Sequence, residues 1–315
     1  MVHRTNLLLF HRCLETKFKE QPTIIAGGNG QGNGLNQLYW PYGIFVDEKK
    51  TIFIADSSNH RVVEWKCNAE QGHVIADGNG KGKRMDQLYH PSDMIVDRKN
   101  YSIIIADCGN RRVTRRSFDQ KQEILIGNIG CRGLAMDQYG FLYVSDCEKH
   151  EVRKWKLEKI NEERHGTLVA GGNKKGDELN QLNSPTYIFV DETQSLYVSD
   201  RENHRVMKWR KGASEGIVVA GGNSQGNNLN QLDGAEGLFV HQWGQIYVAD
   251  WGNHRIMRWC EGDNKGEIVL GGNGQGNELN QLSCPIGLSF DFEGNLYVAD
   301  CGNHRIVRLD PFDEN

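Results

Sequence analysis

The feature that most constrains the fold of this chain is a seven-residue string that returns about every fifty residues. Its clearest copy runs from Asp200 to Val206 and reads Asp-Arg-Glu-Asn-His-Arg-Val. Other copies begin at Asp56, Asp107, Asp146, Asp250 and Asp300, so the leading aspartates are 51, 39, 54, 50 and 50 residues apart. A repeat of this length is typical of an array of similar units and not of one irregular domain.

Each repeat contains four short runs of alternating apolar and polar residues. In the copy from Pro285, the runs Gly287–Asp291 and Leu296–Asp300 flank a glycine turn, which predicts a β-hairpin. A third run follows the Asn-His-Arg corner, and a fourth ends in Gly-Gly. Four strands in each of six repeats predict an all-β fold, a six-bladed β-propeller with four-stranded antiparallel blades.

The two ends of the chain are expected to close the ring together. Residues 23–27 match the fourth strand of the other copies, whereas the last repeat stops after a third strand at Leu309. The N-terminal strand should therefore complete the last blade and remove an open sheet edge. We expect an N-terminal tail at 1–19, the propeller at 20–310 and a C-terminal tail at 311–315.

Composition favours a soluble monomer in the cytoplasm. The chain has 37 Gly, 6 Pro and a formal net charge of −4, and no run is long enough for a membrane span. Asn6–Phe10 is too short for a signal peptide core. The cysteines form no Cys-x-x-Cys pair, so free thiols are expected, with a disulfide on the rim as the alternative.

A glycine-rich connector of twelve residues joins the fourth strand of one blade to the first strand of the next. It occurs at 27–38, 77–88, 171–182, 221–232 and 271–282. No helix follows it to hold a phosphate, and it carries Asn where calcium repeats need carboxylates, so it is interpreted as structural. Between Gly127 and Arg132 the connector is missing, which predicts a notch in the rim between blades 2 and 3.

The repeated corner residues are also interpreted as structural. Histidines at equivalent sites of a ring cannot converge on one metal ion, because zinc needs its ligands about 2.0–2.1 Å away. We therefore expect no metal and no cofactor. The third strands also carry a column of core tryptophans, Trp65, Trp155, Trp209 and Trp259, with Arg116 and Leu309 in the other two blades. The corner set is Asp56, Asn59, His60, Asp107, Asn110, Asp146, His150, Asp200, Asn203, His204, Asp250, Asn253, His254, Asp300, Asn303 and His304.

The corner Asp-x-x-Asn-His-Arg-[Val/Ile], with Pro-x-Gly ahead of it and Leu-Tyr-Val-Ala-Asp leading into it, resembles the NHL repeat over about residues 20–309. This resemblance implies a ring-shaped interaction module. Some members accompany RING ubiquitin ligases and bind RNA or protein on one face, and some are sensor domains. One branch is a metal-dependent peptidyl-hydroxyglycine amidating lyase.

This sequence contains no RING, so it is expected to have no ligase activity of its own. The lyase branch needs several His, a Tyr and an Arg around a central metal. Here His90 precedes a first strand, whereas His241 ends one and should lie on the opposite face. We therefore expect a non-enzymatic module, with a lyase-like enzyme as an alternative.

Function should lie where equivalent positions differ from blade to blade. After the corner Asp these are Ser57, Cys108, Cys147, Arg201, Trp251 and Cys301, and ahead of the first strand Tyr42, Ser92, Arg132, Thr186, Glu236 and Ile286; both rings should border the channel mouth. Residues 81–116 hold nine Lys or Arg against four Asp, a local excess of +5 beside the notch.

The expected partner is a protein or peptide on the face formed by the connectors and corners, with single-stranded RNA or another anionic ligand as the alternative. In the notch, Lys81, Lys83, Arg84 and Arg111 are expected on one side and Arg132 and Lys149 on the other. Arg201 lies one blade away, and the aromatic candidates Trp40, Tyr42 and Trp251 are expected across the ring.

Overall fold

The computed structural model describes residues 16–77, 79–117, 119, 121–162 and 165–312. They form six four-stranded antiparallel sheets, each in the order of a propeller blade. The predicted six-bladed propeller is confirmed. Blades 1 to 3 contain β2 (Pro41–Val46), β3 (Ile52–Asp56), β4 (Arg61–Trp65) and β5 (His73–Asp77); β6 (Pro91–Asp97), β7 (Ser102–Asp107), β8 (Arg112–Ser117) and β9 (Gln122–Gly127); β10 (Cys131–Met136), β11 (Phe141–Asp146), β12 (Glu151–Lys156) and β13 (Thr167–Gly171).

Blade 6 takes one strand from the N-terminal end of the chain. Blades 4 and 5 contain β14 (Pro185–Val190), β15 (Leu196–Asp200), β16 (Arg205–Trp209) and β17 (Ile217–Gly221); β18 (Ala235–Val240), β19 (Gln245–Asp250), β20 (Arg255–Cys260) and β21 (Glu267–Gly271). Blade 6 contains β22 (Pro285–Phe290), β23 (Leu296–Asp300), β24 (Arg305–Leu309) and β1 (Thr23–Gly27).

Closure of the ring follows from the pairing of β1 with β24, in which Thr23 lies opposite Arg308 and Gly27 opposite Arg305. The predicted closure is therefore confirmed. Residues 16–19, expected as part of a tail, continue along this blade: the Lys19 amide donates to the Asp310 carbonyl at 2.8 Å. Phe18 packs edge-on against Tyr247, with ring centroids 6.3 Å apart. Residues 1–15 lie outside the described residues.

The first strands surround the central channel, and each contacts the first strands of its two neighbours. They do not pair regularly with the second strands. In blade 3 the register shifts between Cys131 and Leu134, and similar shifts occur at the start of every first strand. Such β-bulges redirect side chains, so the variable residues at the channel mouth cannot be oriented by simple alternation.

The blades pack through apolar side chains of neighbouring sheets. The third-strand tryptophans Trp65, Trp155, Trp209 and Trp259 are all buried. In blade 4, Gly216 precedes the fourth strand and packs against the indole ring of Trp209. A Cβ added at Gly216 would be 2.9 Å from that ring. A side chain at this glycine would therefore displace the tryptophan.

Every corner turns through a residue in the left-handed region, with φ between 50° and 56° at His60, Arg111, His150, His204, His254 and His304. Asn, Asp and His are enriched among non-glycine residues with positive φ, whereas β-branched residues are strained there. The short 3-10 turns Ser57–Asn59, Cys108–Asn110, Arg201–Asn203 and Cys301–Asn303 lead into four of these residues. A fifth 3-10 turn, Leu157–Lys159, follows β12.

Among the described cysteines, positions 67, 108, 131, 147, 284 and 301 are free thiols. Cys260 is disulfide-bonded, so the expectation of free thiols fails at that position. No helix in the described part of the chain is long and apolar enough to cross a membrane.

Candidate functional site

In five blades a buried ion pair ties the corner to the connector that precedes the same blade. In blade 5, Arg255 Nε donates to Asp250 Oδ2 at 2.7 Å, and both residues are buried. The other guanidinium nitrogens donate at 2.8–3.1 Å to connector carbonyls, those of Asn227, Asn228 and Gln231. Asn253 Nδ2 donates to Asp250 Oδ2 and to the Gly226 carbonyl. The corner therefore holds the connector in place.

The same contacts recur in blades 1, 2, 4 and 6. The ion pairs are Asp56–Arg61, Asp107–Arg112, Asp200–Arg205 and Asp300–Arg305, each at 2.7 Å. The corner amides that bind the connector are Asn59, Asn110, Asn203 and Asn303. Burial raises the pKa of the corner aspartates, although the surrounding donors act in the opposite direction. Their attraction to arginine thus does not fully offset the cost of desolvation.

Five corner histidines each join their blade to the next one. His204 Nδ1 accepts the amide N–H of Gly234 at 3.1 Å, and His304 Nδ1 accepts that of Trp40 at 3.3 Å. Equivalent bonds at 3.0–3.3 Å are made by His60, His150 and His254. A nitrogen that accepts is unprotonated, so these contacts require the Nε2–H tautomer at His150, His204, His254 and His304. His60 Nδ1 also lies 3.1 Å from the Ser57 carbonyl, to which the other tautomer would donate. Burial lowers the pKa of His60 and His304, which favours the neutral ring.

Blade 3 departs from this pattern at several positions of one corner. Lys149 stands where the other blades have Asn, and its Nζ lies 3.8 Å from Asp146 Oδ2. Glu151 replaces the corner arginine and accepts from Arg153 Nε at 2.7 Å. Arg153 Nη1 donates to the carbonyls of His165 and Gly166 in its own blade. The charged side chains of the blade 3 corner thus have partners within their own blade. They do not need the twelve-residue connector, in whose place this junction has only residues 128–130.

An open groove of about 580 Å³ lies at this junction. Its base is apolar and its rim carries charged and amide side chains. The lining residues are Leu125, Ile126, Gly127, Asn128, Ile129, Asp146, Lys149, Arg153, Trp155, Ile160, Asn161 and His165. We call this feature the notch groove. Of the candidate binding residues predicted from the sequence, Lys149 lines it, and Arg111 borders it through a bond from Nη2 to Asn128 Oδ1 at 3.3 Å.

The basic segment 81–116 is less positive than its sequence suggests. Four of its cations pair with glutamates from outside the segment, in the pairs Arg98–Glu48, Lys99–Glu158, Arg111–Glu148 and Arg115–Glu123. These four carboxylates reduce the local excess from +5 to +1. Arg84 pairs with Asp86 at 2.9 Å, and Lys81 Nζ lies 4.0 Å from the Tyr89 ring centroid. Lys81, Lys83 and Arg84 do not line the notch groove.

Arg132 points into the channel mouth and is not among the residues that line the notch groove. Its guanidinium carbon lies 5.0 Å from the Tyr42 ring centroid, and Nη2 lies 3.8 Å from Glu236 Oε1. Glu236 is buried in blade 5 and accepts from Arg201 Nε at 2.7 Å. Arg132 therefore does not line the notch together with Lys149, where both were expected from the sequence. Tyr42, expected across the ring, instead meets Arg132.

The remaining candidates at the channel mouth already have partners. The Arg201 guanidinium lies 5.2 Å from the Trp251 ring centroid, and the Trp40 ring packs edge-on against His304.

A buried carboxyl group, Asp93, lies in β6, the first strand of blade 2. Burial raises the pKa of Asp93 to about 7, although the Leu134 and Met94 amides donate to it. Sequence reasoning missed Asp93 and Tyr187, which occupy a position held by glycine in the other four blades.

The two histidines weighed for a lyase lie apart and make different contacts. His90 packs against His60, with ring centroids 4.6 Å apart, and burial lowers its pKa. His241 packs against Trp243, at the turn between the first two strands of blade 5. Among the described residues no group of three or more His, Cys, Asp or Glu could hold a metal ion.

The family model of the NHL repeat matches residues 282–309, which span the connector end, β22, β23, the corner and β24. The other blades repeat this unit, with the departures described for blade 3. The chain is an NHL-repeat propeller. No curated protein matches its sequence.

Solved structures share the propeller fold at low identity. A protein of unknown function from Bacteroides thetaiotaomicron is 15% identical, with a TM-score of 0.73 over 93% of this chain and 76% of that one. An auxiliary nutrient binding protein from the same species is 14% identical, with a TM-score of 0.71 over 94% and 77%. Virginiamycin B lyase from Staphylococcus aureus is 12% identical, with a TM-score of 0.52 over 89% and 97%. At these sequence identities the comparisons show that these proteins and the NHL-repeat propeller share a fold.

Proposed function

We propose that this NHL-repeat propeller is a non-enzymatic interaction module that binds a segment of a protein partner on its connector and corner face, at the notch groove. The observation that carries the proposal is the groove itself, which stands at the one described blade junction without a connector. Its volume of about 580 Å³ suits a short peptide segment. Lys149, with its side chain 59% exposed, supplies a cation at the rim.

A protein partner is better supported than single-stranded RNA. Nonspecific affinity for nucleic acid depends on cations that release counterions from phosphates, and most cations of the 81–116 segment are paired with carboxylates. Aromatic rings that stack on bases are the second requirement. Tyr42 and Trp251 are both covered by arginine.

An enzymatic role is the competing possibility, because lyases are among the proteins that share this fold. A metal-dependent lyase would carry stoichiometric metal after purification. We expect none by elemental analysis of the purified protein. One equivalent of tightly bound zinc would contradict the proposal and support a lyase-like site.

The direct test is affinity capture from cell extract, read out for both protein and RNA. Lys149→Glu should deplete a protein captured by the wild type, because it reverses the rim charge without touching the core. Lys211→Glu is the matched control, since Lys211 is an exposed lysine in the loop after β16. A partner lost equally from both variants, or a captured species destroyed by ribonuclease, would refute the proposal.

A further inference from the structure

The five connectors show what kind of segment fits beside a third strand of this propeller. Each presents backbone carbonyls to the corner Asn and Arg of the blade that follows it. In three blades a connector leucine, Leu35, Leu179 or Leu229, also accepts the amide N–H of the glycine ahead of the fourth strand at 2.7–2.8 Å. Each connector ends in a buried leucine, at 38, 88, 182, 232 and 282. Each connector also folds back on itself, as in blade 4, where the Gly176 and Gln181 amides donate to the Leu182 and Glu178 carbonyls at 3.2 and 3.0 Å. The required chemistry is a turn-forming backbone with apolar anchors.

The notch groove follows the same path in blade 3. Lys149 is the counterpart of the corner Asn, and Trp155 is the counterpart of Trp209. His165 precedes Gly166, the counterpart of the glycine that bonds to the connector leucine in blade 4. All three line the groove. Part of the surface that receives a connector elsewhere is therefore open here, between Lys149 and His165.

The donors of this surface differ in charge from those of the other blades. The uncharged Asn amide is replaced by the ammonium group of Lys149. Arg153, 28% exposed, faces the groove where the equivalent residues of blades 1 and 4 are Val63 and Met207. Asp146 also lines the groove, and Arg153 is held by Glu151, so the groove as a whole is close to neutral. Lys149, 59% exposed, remains a charged donor for a carbonyl or carboxylate of a bound segment.

We propose that the notch groove binds in trans a looped, leucine-anchored segment of another protein, along the path that a connector takes in the other five blades. This inference rests on the proposed function and specifies the partner's chemistry. A carbonyl or carboxylate of the segment accepts from Lys149, and a leucine packs toward Trp155 and Ile160. A second copy of this chain is not the source, because its own connectors are held by their buried corner arginines.

The chain's own connector supplies the probe. A fluorescent twelve-residue peptide with the sequence of residues 171–182 contains Asp177, Glu178 and Leu179, and its Lys174 and Lys175 make its side chains neutral overall. It should bind the full chain saturably in an anisotropy titration, and a scrambled peptide should bind at least about tenfold more weakly. Lys149→Glu should weaken binding at least about tenfold, since one charge-assisted hydrogen bond of about 1.5–3 kcal/mol is lost. Lys211→Glu should leave it unchanged.

A variant with the groove filled in cis gives an independent test. Residues 128–130 are replaced by the sequence of residues 222–234, and Lys149→Asn and Glu151→Arg are added. Blade 3 then has the connector and the corner residues of blade 5. This variant should fold and lose peptide binding at least about tenfold. If it does not fold, Asn161→Trp serves instead, because it introduces a ring into the groove from an exposed position. Wild-type peptide affinity in a folded, filled variant would overturn the inference.

The inference and the proposed function can fail separately. If the peptide does not bind but Lys149→Glu still releases a captured protein, the connector-like path is wrong and the notch remains the site of binding. If neither effect is seen, both are wrong. Binding of the scrambled peptide with equal affinity would likewise overturn the inference, since it would show charge attraction without recognition of the segment.

Discussion

Replacement of Arg255 by Met should be among the most damaging single changes in the propeller, although Arg255 does not line the notch groove. Arg255 is 3% exposed and its guanidinium donates to Asp250 Oδ2 and to three connector carbonyls. Methionine has a similar reach and no donor. The change leaves the Asp250 carboxylate buried with only the Asp233 amide and Asn253 as donors.

The magnitude follows from the burial of the pair. Breaking a buried ion pair by removing one partner costs about 3–5 kcal/mol, whereas an exposed pair contributes about 0–1 kcal/mol. At about 2–4 °C per kcal/mol, the melting temperature should fall by at least about 6 °C. Burial already raises the pKa of Asp250, and loss of Arg255 raises it further. The folded variant then takes up a proton that the unfolded chain does not, so its deficit relative to the wild type is largest at neutral pH and shrinks as the pH falls.

Urea denaturation followed by tryptophan fluorescence measures this cost, and hydrogen exchange over residues 221–232 should show the connector released. Arg84→Met is the matched control, because its pair with Asp86 is exposed on both sides at 67% and 50%. Adding Asp250→Asn to the Arg255 variant should recover part of the loss by removing the buried charge. A cost below about 1 kcal/mol for Arg255→Met, equal to that of the control, would refute the reasoning.

Three further changes test the corners and the closure. Removal of residues 1–28 takes β1 from blade 6 and should lower the melting temperature more than removal of 1–19; equal values would contradict closure. Asn203→Ala should cost about 1 kcal/mol in urea denaturation through the lost bond to the connector, and no loss of stability would argue against that role. Burial lowers the pKa of His60 and His304 below the ordinary value of 6.5, so the stability that these histidines contribute should be complete above about pH 6.5 and decline as the pH falls below it. The raised pKa of Asp93 acts in the opposite direction, so the decline is measured as a difference in unfolding free energy between the wild type and His304→Gln, which should shrink as the pH falls.

The architecture could be predicted from the sequence because it depends on local and repeated signals. Alternation in the runs that lead to Asp250 and Asp300 specifies strands, and the glycine turns specify hairpins. The closure was predictable because Thr23–Gly27 repeats a fourth strand that the last repeat lacks. Six copies of the same pattern leave little freedom in the fold.

The charge distribution could not be predicted, because ion pairs form between residues that the ring brings together from adjacent blades. Arg98 and Glu48 are 50 residues apart in the sequence, and their side chains pair in the structure. A count of charges within one segment omits such partners. The direction of Arg132 was also hidden, since the bulge between Cys131 and Leu134 breaks the alternation that would orient it.

The departures of blade 3 were visible one by one in the sequence, but their dependence on each other was not. Without a connector, an arginine at position 151 would have lost the three carbonyl acceptors that Arg205 has in the next blade. Glu151 instead anchors Arg153, which donates to the loop between β12 and β13.

That loop, residues 157–166, is longer than its counterpart at 210–216, and its Leu157 and Ile160 pack with Trp155 in the core between blades 2 and 3. The polar and apolar groups that a connector would otherwise cover are thus mostly satisfied within the blade. Because a buried polar group without a partner costs about 1–3 kcal/mol, a junction that had merely lost its connector would be unstable. The notch groove can therefore persist as an open surface, which a binding site for a partner requires.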